Sequence, residues 1–346
     1  MGFLNRYLCS RGMLARGAWR GKALGAAQIA QGRGLLEQAM SKIDVEIVEV
    51  GPRDGLQNLD VVMPTADKCR WIAAEHAAGV REIEVGSFVP PKLLPQMADT
   101  AEVVAFARTL PNLRIATLAP NLRGALDAIR AGTHKIGVPI SVSPEHSLSN
   151  VRKTPMQMVE ELAKICKARD ESGAAVEIEG ALSTAFGCTM AGAVPEDDVL
   201  RIAEACLRAG IDSLALADTV GYANPAQVRR LFERVRGIAG DKLTSGHFHD
   251  TRGLGLANVM AALETGIRSF DATLGGLGGC PFAPGATGNV STEDLVFMLE
   301  SMGLRTGIDL AKLIETRKIL EQALPGRPLY GSIARAGLPK GFRQAA

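Results

Sequence analysis

Eight short runs of β-branched and apolar residues recur from residue 45 onward, separated by longer stretches with helical apolar periodicity. Regular alternation of strand and helix predicts right-handed βαβ units and a parallel sheet, and eight repeats favour a closed barrel. We therefore predict a (β/α)8 TIM barrel with a C-terminal helical extension. The predicted strands are Val45–Val50, Glu82–Val85, Ile115–Leu118, Lys135–Ile140, Ala175–Glu179, Ser213–Ala217, Thr244–Phe248 and Ser269–Thr273.

Helix boundary signals agree with this alternation. Thr154-Pro155 and Asn224-Pro225 each predict an N-cap followed by a first helical residue. Four glycines before predicted strands are expected to end helices as left-handed C′ residues. They are Gly79, Gly132, Gly210 and Gly266. An open doubly wound sheet is the structural alternative, but the nearest glycine pattern, Gly253-Leu-Gly255, lacks the third glycine of a dinucleotide fingerprint.

The predicted domain organisation is one catalytic barrel over residues 41–304 and a helix and tail over residues 305–346. Residues 1–40 contain six basic residues and no acid before Glu37, which is typical of a mitochondrial transit peptide. The alternative, which we favour, is that translation begins at Met40. In both cases the segment lies outside the fold.

Charge and cysteine usage exclude several classes of protein. A net charge of +2 over 346 residues gives no electrostatic footprint for nucleic acid. No apolar run approaches the roughly 20 residues that cross a bilayer, so no membrane partner is expected. The six cysteines form no CxxC pair, which argues against a disulfide framework. We expect a cytoplasmic protein, or a mitochondrial one if residues 1–40 are a transit peptide.

Active sites of such barrels lie at the carboxyl ends of the strands. The first run leads into Arg53 and Asp54, and the seventh ends in His247-Phe-His249. Alternate strand residues share a face, so both imidazoles point the same way. A His-x-His pair alone is equally typical of a polar rim. Together with the carboxylate of Asp54 it favours an open six-coordinate site for Mg²⁺ or Mn²⁺.

A glycine-rich segment follows the eighth strand, from Gly275 to Asn289. Its Cys280 is predicted to lie over the barrel mouth, where a partly exposed thiol can act chemically. Asn289 could reach the metal through its amide oxygen, or cap the helix that follows. The remaining histidines are predicted to be structural: His76, His134 and His146.

Several motifs carry a resemblance to a known family. They are Val48–Asn58 (VEVGPRDGLQN), Ser87–Lys92 with Pro95–Met97, His247–Thr251, and Gly276–Pro281 with Gly288-Asn289. Over residues 45–305 the chain resembles the 3-hydroxy-3-methylglutaryl-CoA lyases. The wider group of barrel metalloenzymes includes isopropylmalate and homocitrate synthases, but the Gly-Gly-Cys-Pro segment is similar to the lyase branch.

The resemblance implies a divalent cation, Mg²⁺ or Mn²⁺, held by Asp54, His247, His249 and Asn289. It also implies that Arg53 binds the substrate and stabilises a thioester enolate, and that Cys280 moves a proton at carbon. Further catalytic or substrate-binding positions are implied at a set of four residues. They are Glu84, Asp218, His247 and Gln57.

The implied reaction is cleavage of 3-hydroxy-3-methylglutaryl-CoA to acetyl-CoA and acetoacetate. Three alternatives stay open: a lyase for citramalyl-CoA or an isoprenoid homologue, a Claisen-type synthase, and a barrel that binds without catalysis. The resemblance also implies a homodimer and an acyl-CoA partner. Lys92, Arg152 and Lys153 are candidates for contact with the CoA phosphates.

Overall fold

Eight parallel strands close into a barrel in chain order, with β8 pairing back onto β1. The computed structural model describes residues 43–278 and 288–345. The predicted barrel is thereby confirmed. The strands are β1 (Glu46–Glu49), β2 (Glu82–Ser87), β3 (Arg114–Leu118), β4 (Lys135–Ser141), β5 (Glu177–Ser183), β6 (Ser213–Asp218), β7 (Leu243–Phe248) and β8 (Ser269–Ala272).

Helices surround the barrel and continue beyond it. Those of the barrel are α1 (Thr65–Ala78), α2 (Thr100–Ala107), α3 (Leu122–Ala131), α4 (Pro144–Val151), α5 (Pro155–Ser172), α6 (Glu196–Arg208), α7 (Pro225–Ala239), α8 (Gly255–Glu264) and α9 (Thr292–Ser301). The C-terminal region adds α10 (Leu310–Ala323) and α11 (Ile333–Ala336). Residues 1–40, and the predictions made for them, lie outside the described residues.

One predicted strand is misplaced. The fifth was predicted over Ala175–Glu179, but β5 spans Glu177–Ser183. The strand continues because its later residues keep their partners: Ala181 pairs with Pro139 of β4 and with Ala215 of β6. A glycine at position 180 and the small residue after it weaken the local signal, so only pairing from both sides reveals the strand. The other seven predicted strands agree with the structure to within two residues at each end.

The predicted helix caps are observed. The side chain of Thr154 accepts a hydrogen bond from the backbone N–H of Gln157, and Asn224 does the same for Gln227. Gly79 and Gly132 end α1 and α3 with φ of 106° and 83°, and both have the left-handed conformation expected of them.

The apolar core lies between the strands and the surrounding helices, whereas the barrel lumen is charged. Val45, Ile83, Ile115 and Ile136 face the helices and are fully buried. Inside the barrel the ammonium group of Lys135 lies 2.7 Å from Glu179 and 3.2 Å from Glu82. Within the described segments, no helix combines the length and the apolar character needed to cross a membrane.

Candidate active site

Asp54 is placed by a single turn of π-helix, Gly51–Gly55, that is separated from β1 by Val50 alone. A side chain at Gly51 would lie 2.4 Å from Oε1 of Glu49, so this sharp turn needs glycine. The Asp54 carboxylate is buried and accepts hydrogen bonds on both oxygens. Gln57 Nε2 donates to Oδ1 at 2.9 Å, and Asn289 Nδ2 donates to Oδ2 at 2.7 Å.

The two imidazoles of β7 meet this carboxylate. The Nε2 atoms of His247 and His249 lie 3.1 Å apart, and His249 Nε2 lies 3.9 Å from Oδ2 of Asp54. One ligand atom from each of the three residues falls within 4.8 Å of the others. All three side chains are buried. Such a group matches the ligands of an open site for a divalent cation.

Asn289 completes the group from the segment that precedes α9. It forms an isolated antiparallel bridge with His249, which brings its side chain beside Asp54. Its amide oxygen is buried, and among the described residues it has no hydrogen-bond partner. A buried acceptor without a donor is unfavourable. A cation between these four residues would satisfy it, so the donor set fits a divalent metal.

The pKa shifts favour the protonation states that a metal requires. Burial raises the pKa of Asp54, but the charges of Arg53, His247 and His249 outweigh burial and bring it down to about 2. Burial and the neighbouring His247 lower the pKa of His249 to about 3. At neutral pH the site therefore offers an ionised carboxylate and a neutral imidazole.

A carboxylate on β8 orients His247 from the side of its ring that faces away from His249. Its Nδ1 atom lies 3.0 Å from Oδ2 of Asp271. Burial lowers the pKa of His247, but the hydrogen bond and the charge of Asp271 more than offset burial and raise it overall. A proton held on Nδ1 leaves Nε2 facing His249, as in the carboxylate–histidine arrangement of metal sites.

Arg53 connects two carboxylates at the edge of the group. Its Nη1 lies 2.6 Å from Oδ1 of Asp54 and its Nε lies 2.6 Å from Oε2 of Glu84. The other oxygen of Glu84 lies 3.9 Å from where a side-chain carbon at Gly137 would stand, so it faces the lumen. Burial raises the pKa of Glu84 to about 7, against the lowering effect of Arg53. Glu84 can therefore exchange a proton near neutral pH.

A cavity of about 670 Å³ joins these residues to the barrel mouth. Five small residues on the β3–β6 side leave room opposite the metal-binding group. They are Ala116, Gly137, Ala181, Ala215 and Ala217. Of the basic residues proposed for the rim, Arg152 and Lys153 line the cavity and Lys92 does not.

Asp218 lies beside β7, but its carboxylate is bound to backbone groups of its own loop. Its carboxylate accepts hydrogen bonds from the backbone N–H groups of Tyr222 at 2.8 Å and Ala223 at 3.2 Å. Burial raises its pKa to about 6, but it does not line the cavity. Cys280 falls outside the described residues, and its predicted role stays a prediction.

Sequence reasoning missed two carboxylates. Asp271 and Glu49 each interrupt an apolar strand, and that interruption is the signal that was overlooked. Glu49 is fully buried and accepts from the N–H of Gly51 at 2.8 Å and from the hydroxyl of Thr292 at 2.7 Å. His146, which was predicted to be structural, lines the cavity, and its Nδ1 lies 2.7 Å from Ser141 Oγ.

A closed (β/α)8 barrel with an Asp-His-His group and an arginine at the carboxyl ends of its strands defines a barrel enzyme with a candidate metal centre. Comparison with known proteins gives the family. The model of the HMGL-like family matches residues 44–320. This chain therefore belongs to the HMGL-like family.

Similar proteins carry lyase names. The hydroxymethylglutaryl-CoA lyase of Bacillus subtilis is 41% identical over 285 residues, which cover 82% of this chain and 94% of that protein. The 3-hydroxy-3-isohexenylglutaryl-CoA/hydroxymethylglutaryl-CoA lyase of Pseudomonas aeruginosa is 40% identical over 271 residues, covering 78% and 90%. An HMG-CoA lyase from Acinetobacter baumannii, solved with coenzyme A and 3-methylmalate, is 41% identical with a TM-score of 0.81, covering 86% of this chain and 97% of that one.

Proposed function

We propose that this protein is a carbon–carbon lyase that cleaves 3-hydroxy-3-methylglutaryl-CoA to acetyl-CoA and acetoacetate. The observation that carries the proposal is the convergence of Arg53, Asp54, His247 and His249 on one cavity at the carboxyl ends of the strands. The family of the chain, and the names of its relatives, support the same reaction.

Asp54, His247, His249 and Asn289 would hold a divalent cation, Mg²⁺ or Mn²⁺. When bound, such an ion supplies a Lewis acid that lowers the pKa of a coordinated hydroxyl group. The ionised Asp54 and the neutral His249 are ready to bind it without losing a proton at neutral pH. Gln57 keeps Asp54 oriented through a hydrogen bond to Oδ1.

The remaining residues have distinct tasks in cleavage. Glu84, with a pKa near 7 and a carboxylate oxygen facing the lumen, is placed to take the proton of the tertiary hydroxyl. Because Asp218 is bound to backbone N–H groups outside the cavity, we assign the proton to Glu84 and give Asp218 the task of holding the loop after β6.

Breaking the bond leaves its electron pair on the thioester as an enolate, and the former alcohol becomes the ketone of acetoacetate. The Arg53 guanidinium would stabilise the enolate oxygen with a permanent charge. Cys280, through its thiol, would return one proton to the enolate carbon and so complete acetyl-CoA.

The broader acyl-CoA range of the Pseudomonas relative makes a second substrate worth testing. Five residues of the β3–β6 wall of the cavity are glycine or alanine, which leaves space beside them for a substituent larger than methyl. An isoprenoid homologue, 3-hydroxy-3-isohexenylglutaryl-CoA, is therefore the second candidate, and citramalyl-CoA is the third.

The test is a coupled assay of the purified chain with Mg²⁺ or Mn²⁺ and each of the three thioesters. We expect the highest kcat/KM with 3-hydroxy-3-methylglutaryl-CoA. Condensation of acetyl-CoA with a keto acid, without cleavage of any of the three, would contradict the proposal and favour a synthase. Cys280→Ser separates these readings further, since the lyase should lose activity by orders of magnitude while Cys69→Ser keeps it.

Three further predictions remain tied to this function. We expect a homodimer, a cytoplasmic location, and a catalytic barrel over residues 41–304 with a separate helix and tail over residues 305–346. Relatives carry both cytoplasmic and mitochondrial names, so the compartment needs a direct test. N-terminal sequencing of the natural protein would distinguish a cleaved leader from a start at Met40.

A further inference from the structure

An ion pair outside the candidate active site joins the C-terminal helix to α9. The guanidinium of Arg317, on α10, donates from Nη1 to Oε1 of Glu293, near the start of α9. Glu293 is completely buried and Arg317 is only 7% exposed. A buried ion pair is costly to desolvate, so its stability value alone is a weak explanation for its presence. Its contacts indicate another task.

Both partners hold the turn that follows β8. The backbone N–H of Gly275 donates to Oε2 of Glu293 at 3.0 Å. Arg317 Nη1 also donates to the carbonyl oxygen of Tyr330 at 2.7 Å, and the N–H of Tyr330 donates to the carbonyl oxygen of Gly275 at 2.7 Å. The N–H of Gly275 is thus bound by α9, and its carbonyl oxygen is bound by the C-terminal tail.

The turn held in this way supports Asn289. Gly275 and Gly276 have φ of 69° and 63°, so the turn uses a conformation that glycine adopts readily. It ends at Leu277, whose carbonyl oxygen accepts from Nδ2 of Asn289 at 3.0 Å. That same Nδ2 donates to Asp54, and the amide oxygen of Asn289 is the buried acceptor without a partner.

The C-terminal tail at Tyr330 packs closely against the turn at Gly275–Leu277, so neither segment can move far without the other. A side-chain carbon at Gly276 would stand 3.2 Å from Cβ of Tyr330 and 3.4 Å from the carbonyl oxygen of Asn289. The hydroxyl of Ser291, two residues after Asn289, donates to Oε2 of Glu293 at 2.7 Å. A shift of Glu293 would therefore reach Asn289 from both sides, through Leu277 and through Ser291.

From these contacts we propose that Arg317 is a positioning residue for the metal centre. Its guanidinium keeps Glu293 and Tyr330 in contact with Gly275. Through Leu277, which follows Gly275 in the turn, these contacts orient the amide oxygen of Asn289. The proposal rests on the metal centre described under the proposed function. It adds that the C-terminal region, none of whose described residues lines the cavity, tunes the affinity for the cation.

The test measures the Mn²⁺ dissociation constant of the full chain by titration calorimetry, together with the unfolding temperature. Arg317→Met is compared with Arg305→Met, which breaks a more exposed ion pair with Asp44 before β1, at the other end of the barrel. We expect Arg317→Met to bind Mn²⁺ at least tenfold more weakly than the native chain, and Arg305→Met to bind it within about twofold. Equal affinities in the two variants would overturn the proposal.

A double variant distinguishes the positioning role of Arg317 from the effect of leaving the buried charge of Glu293 without a partner. Arg317→Met with Glu293→Gln removes that charge, so it should unfold at a higher temperature than Arg317→Met alone. We expect its affinity for Mn²⁺ to stay at least tenfold weaker, since the bridge to Tyr330 is still absent. Recovery of both stability and affinity would overturn the proposal. If Arg317→Met does not fold, the Mn²⁺ affinity of the double variant alone tests the proposal. If the native chain does not bind Mn²⁺, both the metal centre and this proposal are overturned.

Discussion

The Nδ1 atom of His247 lies 3.0 Å from Oδ2 of Asp271, and this contact decides which nitrogen of the imidazole faces the metal-binding group. His247 pairs directly with Asp271 in the register of β7 and β8, so the two side chains leave the sheet at the same level. The carboxylate thereby fixes the tautomer of a histidine that is buried among Asp54, Arg53 and His249.

Asp271→Asn should weaken metal binding and activity together. The amide keeps the shape of the carboxylate but loses the charge that supports His247, and such changes behind a metal ligand typically cost 10–100-fold. Metal titration and kcat/KM measure the two effects. Asp309→Asn is the control, since Asp309 caps α10 and forms an exposed ion pair with Lys312. If Asp271→Asn matched that control in both measurements, Asp271 would have no role in the site.

Removal of His249 should abolish stabilisation by metal. A ligand that binds only the folded state stabilises it by about 2.7 kcal/mol at a hundredfold excess over its Kd. We expect Mn²⁺ to raise the unfolding temperature of the native chain and of His76→Ala, whose imidazole contacts the carbonyl oxygen of Pro111 near the surface. His249→Ala should show no such rise. A full rise in His249→Ala would place the cation elsewhere.

Replacement of Arg53 should reduce turnover more than substrate binding. Loss of one group that stabilises a developing oxyanion typically lowers kcat about 10²–10³-fold. Arg53→Lys should not restore the rate, because an ammonium group cannot reproduce the two separate contacts to Asp54 and Glu84. Arg152→Gln, at the cavity mouth, should change KM for the thioester rather than kcat. The idea fails if Arg53→Gln retains most of the native kcat.

Glu49 should make stability depend on pH. Burial raises its pKa from 4.5 to about 7, partly offset by its hydrogen bonds to Thr292, Leu274 and Gly51. A raised pKa in the folded state means that the folded chain holds the proton longer, so this stabilisation is complete below pH 4.5 and is lost as pH rises through 7. The size of the loss belongs to Glu49 and Glu75 together, because these two buried carboxyl groups interact directly.

In Glu49→Gln this loss disappears, so its free energy of unfolding relative to the native chain should rise between pH 5 and pH 8. Urea unfolding at the two pH values measures the difference. Glu315→Gln, a change in an exposed ion pair, should show no such trend. A constant difference between Glu49→Gln and the native chain at both pH values would mean that Glu49 is ionised in the folded protein throughout.

Local residue patterns were enough to predict the barrel and to single out the central residues of the candidate site. Strand and helix periodicity depends on neighbours a few residues apart, so eight repeats define the architecture without knowledge of the contacts. The His247-Phe-His249 alternation and the placement of Arg53 and Asp54 after β1 follow from the same local rules, because parallel strands all end at one edge of the barrel.

Only the tertiary structure shows which groups each strand carboxylate contacts. Asp218 and Asp271 both lie in strands, yet Asp218 is bound by backbone N–H groups of its own loop while Asp271 orients His247. Arg317 and Gly275 are 42 positions apart and meet through Glu293 and Tyr330. Such partnerships arise from barrel closure and from docking of the C-terminal helix, which join residues distant in the chain and leave no periodic trace in the amino-acid sequence.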